Sequence, residues 1–258
     1  MKNIFKSLLL AVLVAAGLCG FTACSDNDDT DKTPAALQYE KKHDTAILLV
    51  TFGSTYDEPH STYERQMAQF EEAFPDADIF FSFTSVTCIN RWYAASGEQF
   101  ITPDKWLGSF IEKGYEHVYV QSLHIIPGEE FQLLRDKYVK SDYNFLVQDM
   151  TPAREEACCG AALLTSDEDI ETVSKILVDA FKTQLQAGEA VAFMGHGNPV
   201  SDYDHANASY EKIEKAMQTY AASVYGNGNV FVGTVDYPAM LIDYVVEEME
   251  AKGVAKST

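Results

Sequence analysis

Two segments of this 258-residue chain share one pattern, in which an apolar run ends in glycine and a helix-like stretch and a second apolar run follow. The first copy begins at residues 46–53 (AILLVTFG), and the second begins at residues 190–195 (AVAFMG). Strands that alternate with helices indicate parallel sheets with helices on both faces. The repeat therefore predicts an α/β fold of two similar domains, at residues 44–150 and 151–258.

The second copy is shorter than the first. A position equivalent to His124 would fall beyond Thr258, so the second domain is expected to be incomplete and to lack its last strand and helix. We expect a C-terminal truncation; the alternative is that another element covers the open sheet edge. The remaining elements are predicted as strands at 46–52, 78–85, 117–126, 145–147, 191–195 and 230–235, and helices at 61–74, 103–113, after 128, 208–224 and 239–251.

The N-terminus has the layout of a secretory signal. Lys2 and Lys6 precede an apolar run at 8–18 that is too short to span a bilayer, and Cys24 follows small residues. The pattern resembles a lipoprotein signal peptide at residues 1–23, with Cys24 lipidated and residues 24–43 as an acidic tether; an ordinary cleaved signal is the alternative. We therefore expect a cell-envelope lipoprotein, on the periplasmic face or the outer-membrane surface, held to the membrane by a lipid on Cys24.

Charge and cysteine content exclude several partners. The formal net charge of −20 argues against nucleic acid and against electrostatic docking to anionic lipid, but it is compatible with a cationic metal substrate. No CxxC or Cys/His zinc spacing occurs, so no structural zinc is predicted. The adjacent Cys158 and Cys159 have no physical explanation in the sequence. The sequence allows a homo-oligomer without specifying one.

The second apolar run ends in Met194-Gly195-His196-Gly197-Asn198. Glycines on both sides leave the imidazole of His196 open to a large flat ligand or a metal ion. Ligands of open α/β sheets bind at such strand tips. The alternative is a glycine-rich turn with an incidental histidine.

Several segments, which match in order along the chain, resemble one known family, the anaerobic sirohydrochlorin cobaltochelatases. These enzymes are class II chelatases. The segments are AILLVTFGS (46–54), FTS (83–85), QSLHIIPGEE (121–130), FMGHG (193–197), HANASY (205–210) and GTVDYP (233–238). The resemblance implies two flavodoxin- or Rossmann-like domains that face each other across a cleft. It also implies insertion of Co²⁺ into a reduced tetrapyrrole for anaerobic cobalamin synthesis, without ATP or an organic cofactor. Fe²⁺ or Ni²⁺ is an alternative metal.

The resemblance also suggests roles for individual residues. His196 matches the family's metal ligand and presumed base, and neutral imidazole suits both tasks. Asp236 stands where the family usually has a metal-binding glutamate; otherwise it is a solvated turn residue. The family's second metal-binding histidine has no counterpart before Thr258. The residues implied in tetrapyrrole binding are Ser54, Thr84, Ser85, His124, Gly128 and His205. For His124 the alternative is a hydrogen bond to nearby backbone, and for His205 a solvated loop.

Two other functions are also compatible with the sequence. A surface lipoprotein can use the same scaffold to capture haem or another tetrapyrrole for haem or iron uptake, and the signal peptide favours this alternative. A periplasmic metal-binding protein has less support. The GHG segment and the match over the whole domain favour the chelatase.

Overall fold

The computed structural model describes residues 34–150 and 154–254. The described residues from Ala35 onward form one compact unit. The predicted signal peptide, Cys24 and part of the acidic tether lie outside the described residues. Within the described part, no helix has the length and apolar character needed to cross a bilayer.

The chain alternates between strands and helices, as its apolar pattern predicts. The six strands of the described residues are β1 (Thr45–Thr51), β2 (Ala77–Phe83), β3 (His117–Ser122), β4 (Cys158–Cys159), β5 (Val191–Gly195) and β6 (Val230–Thr234). The helices are α1 (Asp57–Ala73), α2 (Val86–Ser96), α3 (Pro103–Lys113), α4 (Glu129–Gln132, Leu133–Asn144 and Phe145–Gln148), α5 (Asp167–Ala180), α6 (Lys182–Gln186), α7 (Asp204–Tyr225) and α8 (Ile242–Ala251). Short 3₁₀ turns occur at Ala35–Leu37, Ser201–Tyr203 and Pro238–Met240.

The first sheet has the strand order β2-β1-β3-β4, and every pair is parallel. β1 occupies the interior of the sheet because its five central residues are apolar and buried on both faces. Cys158 and Cys159 form the short edge strand β4, opposite Tyr119 and Val120. The cysteine pair, unexplained by the sequence, therefore completes the first sheet.

Helix α4 differs from the elements predicted for the same residues. Residues 145–147 form the last turn of this helix, so the predicted fourth strand is wrong. A run of three apolar residues does not distinguish strand from buried helix, and here Val147 packs into the core while Phe145 and Leu146 are exposed. The central stretch Leu133–Asn144 is π-helical. α2, α5 and α6 have no counterpart among the predicted helices.

The second sheet contains β5 and β6, which are also parallel. Apolar residues from α5 and α7 pack against one of its faces and form the core of this half, whereas the first sheet has a core on each face. Each fully buried large apolar side chain in these cores contributes about 1.5–3 kcal/mol.

The α/β fold with parallel sheets is confirmed. The first sheet extends past residue 150, because β4 comes from the segment assigned to the second domain. The division into domains at 44–150 and 151–258 stays a prediction. Within each sheet the strands are parallel, so the loops that follow β1, β3, β5 and β6 lie at the same edge as the carboxyl ends of these strands. Polar side chains of these loops are therefore brought together.

Candidate functional site

His196 follows directly after β5, at the carboxyl end of the second sheet. Its carbonyl oxygen accepts hydrogen bonds from the backbone N–H groups of Asp236 (2.8 Å) and Val235 (3.1 Å). The next residue, Gly197, has a φ of 79°, and a Cβ there would lie 2.7 Å from the backbone nitrogen of Tyr237. The backbone of His196 is thus fixed, while its imidazole is 79% exposed.

Asp236 lies beside His196, two residues after β6 ends. Its Oδ2 is 3.3 Å from Nε2 of His196, and its side chain is 43% exposed. Adjacent parallel strands bring the two side chains together, as their positions after β5 and β6 predict. An imidazole nitrogen and a carboxylate oxygen are suitable ligands for a borderline divalent metal such as Co²⁺. Among the described residues, no group of three or more His, Cys, Asp or Glu side chains is arranged to hold a metal ion.

A cavity of about 640 Å³ lies between the carboxyl ends of the two sheets, and His196 is part of its wall. Its volume falls within the range of about 300–1,000 Å³ that is typical of small-molecule sites. The wall is mostly apolar, with a few polar groups. It is formed by residues 124–126, 128–131, 193–199, Phe52, Leu164, Leu177, Tyr210, Ile213, Met217 and Val232.

His124 lines this cavity from the first half of the chain. The residue is 9% exposed; its Nδ1 lies 2.9 Å from Oγ of Ser122, which also accepts its backbone N–H. Burial lowers the pKa of His124 to about 4, so the imidazole is neutral at physiological pH. Its Nε2 is buried and has no hydrogen-bond partner among the described residues. The predicted alternative, an imidazole hydrogen-bonded to nearby backbone, is not what the structure has: Nδ1 meets the side chain of Ser122, and Nε2 has no partner among the described residues.

Glu130 and Phe52 also belong to the cavity wall, and the sequence reasoning assigned no role to either. Oε2 of Glu130 is buried without a hydrogen-bond partner in the described part of the chain. Phe52, at the end of β1, is 46% exposed. A signal was present for both, since Glu130 lies in the segment QSLHIIPGEE and Phe52 precedes the glycine that matches Gly195.

Gly128 is a point of contact between the two halves. It precedes the first turn of α4 and is buried in the cavity wall. A Cβ on Gly128 would lie 2.9 Å from Nδ2 of Asn198, which is the second residue after His196. The structure thus brings Gly128 next to the loop that carries His196.

Ser54, Thr84 and Ser85 do not belong to the cavity wall in the described residues. Oγ of Ser54 accepts the backbone N–H of Tyr56 (3.2 Å), and Oγ of Ser85 caps α2 by accepting the N–H of Cys88 (3.3 Å). Thr84 is buried, and its hydroxyl has no partner among the described residues. Their role in tetrapyrrole binding stays a prediction, and this geometry gives it no support.

His205 lies at the start of α7, outside the cavity wall described above. Its exposed imidazole has Nε2 3.2 Å from Nε2 of Gln132 in α4. It therefore bridges the two halves beside the cavity. Its contact with a tetrapyrrole stays a prediction.

Comparison with known proteins gives a family. The profile of the cobalt chelatase (CbiK) family matches residues 45–258. A sirohydrochlorin cobaltochelatase of Salmonella typhimurium is 31% identical over 216 residues, which cover 81% of this chain and 72% of the relative. The sirohydrochlorin cobaltochelatase CbiKC of Nitratidesulfovibrio vulgaris is 30% identical over 231 residues, which cover 88% of this chain and 72% of the relative.

A solved structure, SirB from Bacillus subtilis with Fe³⁺, aligns with a TM-score of 0.49 and 15% identity, covering 80% of this chain and 71% of that one. The profile match over most of the chain and the two relatives define the class of protein as a metal chelatase. The chain belongs to the cobalt chelatase (CbiK) family.

Proposed function

We propose that this protein is a sirohydrochlorin cobaltochelatase, which inserts Co²⁺ into a reduced tetrapyrrole for anaerobic cobalamin synthesis. The observation that carries the proposal is the pair of His196 and Asp236, 3.3 Å apart beside a mostly apolar cavity. The two relatives described above are named sirohydrochlorin cobaltochelatases, and these names support the choice of Co²⁺ as the metal and sirohydrochlorin as the tetrapyrrole. Fe²⁺ or Ni²⁺ remains an alternative substrate metal for the same nitrogen and oxygen ligands.

The reaction requires that four macrocycle nitrogens bind the metal while two pyrrole N–H bonds break and release two protons. His196 and Asp236 hold the incoming Co²⁺ through Nε2 and a carboxylate oxygen. When the metal moves to the macrocycle, Nε2 of His196 becomes free and accepts one proton, and the carboxylate of Asp236 stabilises the resulting imidazolium. The second proton passes to the carboxylate of Glu130, a residue of the cavity wall whose Oε2 is buried without a hydrogen-bond partner among the described residues.

The opposite wall binds the macrocycle. His124 lines the cavity and is neutral at physiological pH, and its Nε2 is buried without a hydrogen-bond partner among the described residues. Substrate binding that uncovers this atom lets it form a hydrogen bond to the tetrapyrrole without presenting a charge. A buried polar atom left unpaired costs about 1–3 kcal/mol. A bound substrate recovers this free energy at both His124 and Glu130, which favours a ligand with polar groups at the cavity end where these residues lie. Apolar residues such as Phe52 and Met194 contact the ring faces.

The test is an anaerobic absorbance assay with sirohydrochlorin and Co²⁺. His196→Ala is expected to lower the insertion rate at least about 100-fold, the effect of losing a positioned acid–base group. Asp236→Asn is expected to lower the rate less, because the imidazole remains. The matched control is His117→Ala, which removes an exposed histidine paired with Glu155 at the opposite end of the first sheet.

A wild-type protein that binds sirohydrochlorin but inserts no Co²⁺, Ni²⁺ or Fe²⁺ would contradict the proposal. Tight haem binding with a shifted Soret band in that same sample would instead favour the tetrapyrrole-capture alternative. Equal losses for His196→Ala and His117→Ala would contradict the role of His196.

A further inference from the structure

The loop that follows His196 is held by a buried asparagine of α7. Asn207 is 0% exposed, and its side chain makes three hydrogen bonds to Asn198. Oδ1 of Asn207 accepts the backbone N–H (2.9 Å) and Nδ2 (3.3 Å) of Asn198, and Nδ2 of Asn207 donates to the carbonyl of Asn198 (2.9 Å). One buried amide therefore fixes the backbone of Asn198 on both its donor and its acceptor side.

Asn198 transmits this constraint to the other half of the chain. Its side-chain amide lies against Gly128, where a Cβ would be 2.9 Å from Nδ2 and 3.2 Å from Oδ1. Gly128 lies between His124 and Glu130, two residues of the cavity wall that each have a buried polar atom without a hydrogen-bond partner among the described residues. At the far end of this loop, the first turn of α7 meets α4 through His205 and Gln132. Both ends of this loop thus contact the first half of the chain.

We propose that Asn207 is a positioning residue of the chelatase site: by holding Asn198 against Gly128, it fixes the separation between the wall that carries His196 and the wall that carries His124 and Glu130. The inference rests on the proposed function, because the walls bind the two faces of one tetrapyrrole. Asn207 itself contacts neither substrate. The metal ligands His196 and Asp236 are held separately, through the backbone hydrogen bonds after β5 and β6.

Because Asn207 positions the cavity walls and does not hold the metal ligands, substrate binding and metal binding should respond differently to Asn207→Leu. This substitution removes all three hydrogen bonds and keeps a side chain of similar volume. Sirohydrochlorin should bind at least about tenfold more weakly, because small misplacements of a binding wall are costly. Binding of Co²⁺ alone, followed by the visible absorption of the bound metal, should change less than about twofold. A variant that is only partly folded would lose both affinities together.

Asn227→Leu is the matched control. Asn227 also holds backbone on two sides, donating to the carbonyl of Leu185 (2.7 Å) and accepting the N–H of Asn229 (3.3 Å), but it lies before β6, at the end remote from the cavity. It should lower the free energy of urea unfolding without changing sirohydrochlorin affinity by more than about twofold. Equal sirohydrochlorin affinities for Asn207→Leu and Asn227→Leu would overturn the proposal.

Gly128→Ala tests the same contact from the opposite wall and keeps the proposal testable if Asn207→Leu does not fold. The added methyl displaces Asn198, so sirohydrochlorin affinity should again fall at least about tenfold while Co²⁺ binding is retained. Unchanged affinity in this variant would refute the role of the contact. Because sirohydrochlorin binding is measured without metal, a wild-type protein that binds sirohydrochlorin but inserts no Co²⁺ refutes the chelatase function and leaves the test of Asn207 valid.

Discussion

The buried imidazole of His124 should make the stability of this protein dependent on pH. Burial lowers its pKa from 6.5 to about 4 in the folded protein. Between these values the unfolded chain binds the proton more tightly than the folded protein, so the free energy of unfolding decreases as the pH falls. The two pKa values give a loss of about 2 kcal/mol between pH 7.5 and pH 5 from this one residue.

His124→Gln should remove this contribution. We expect the free energy of unfolding of the variant to fall less than that of the wild type over the same interval, by about 2 kcal/mol. Urea titrations followed by tryptophan fluorescence at pH 7.5, 6 and 5 measure the difference. Other titrating groups are common to both proteins, so their contributions cancel in the comparison.

The control is His205→Gln, which replaces an exposed histidine that lies beside the uncharged side chain of Gln132. Its pH dependence should follow that of the wild type. If His124→Gln shows the same pH dependence as the wild type, then His124 is not buried as described, and the argument for a neutral imidazole facing the tetrapyrrole fails with it.

Two further predictions concern the loop after β5 and the N-terminus. Gly197→Ala should lower the free energy of unfolding by about 2 kcal/mol or more, because strain at φ 79° adds to a close approach of 2.7 Å to Tyr237. Gly188→Ala, also at φ 79° but with no heavy atom within 4 Å, should cost only the strain, about 1 kcal/mol in the same urea titration. Cys24→Ser should abolish incorporation of labelled palmitate; labelling that persists would contradict the predicted lipoprotein signal.

The candidate metal ligands could be predicted because local patterns determine where they lie. The apolar runs of β5 and β6 are each followed by a glycine or turn, and neighbouring parallel strands end at the same edge of a sheet. That rule places the residues after β5 and β6 side by side, and the resemblance to the chelatase family singled out His196 and Asp236 among them as metal ligands. The same reasoning placed His124 at the carboxyl end of β3, in the cavity wall.

Other features depend on contacts between residues that are distant in sequence. Cys158 and Cys159 form a strand only because β3 offers a free edge, which a two-residue segment cannot specify by itself. Residues 145–147 have a composition suited to either strand or helix, and packing of Val147 in the first core decides for helix.

The sequence by itself determined the α/β alternation, the strand tips and the histidine at one of them, because these follow from periodicity and from the backbone freedom of glycine. Only the tertiary structure decided that the side chain of Asn207 forms its hydrogen bonds with Asn198, and that Asn198 lies against Gly128 and leaves no room for a side chain there. It also decided that polar atoms of His124 and Glu130 have no hydrogen-bond partner among the described residues. Those properties arise from contacts between separate elements, and burial and hydrogen bonding there depend on the relative placement of elements that no local pattern encodes.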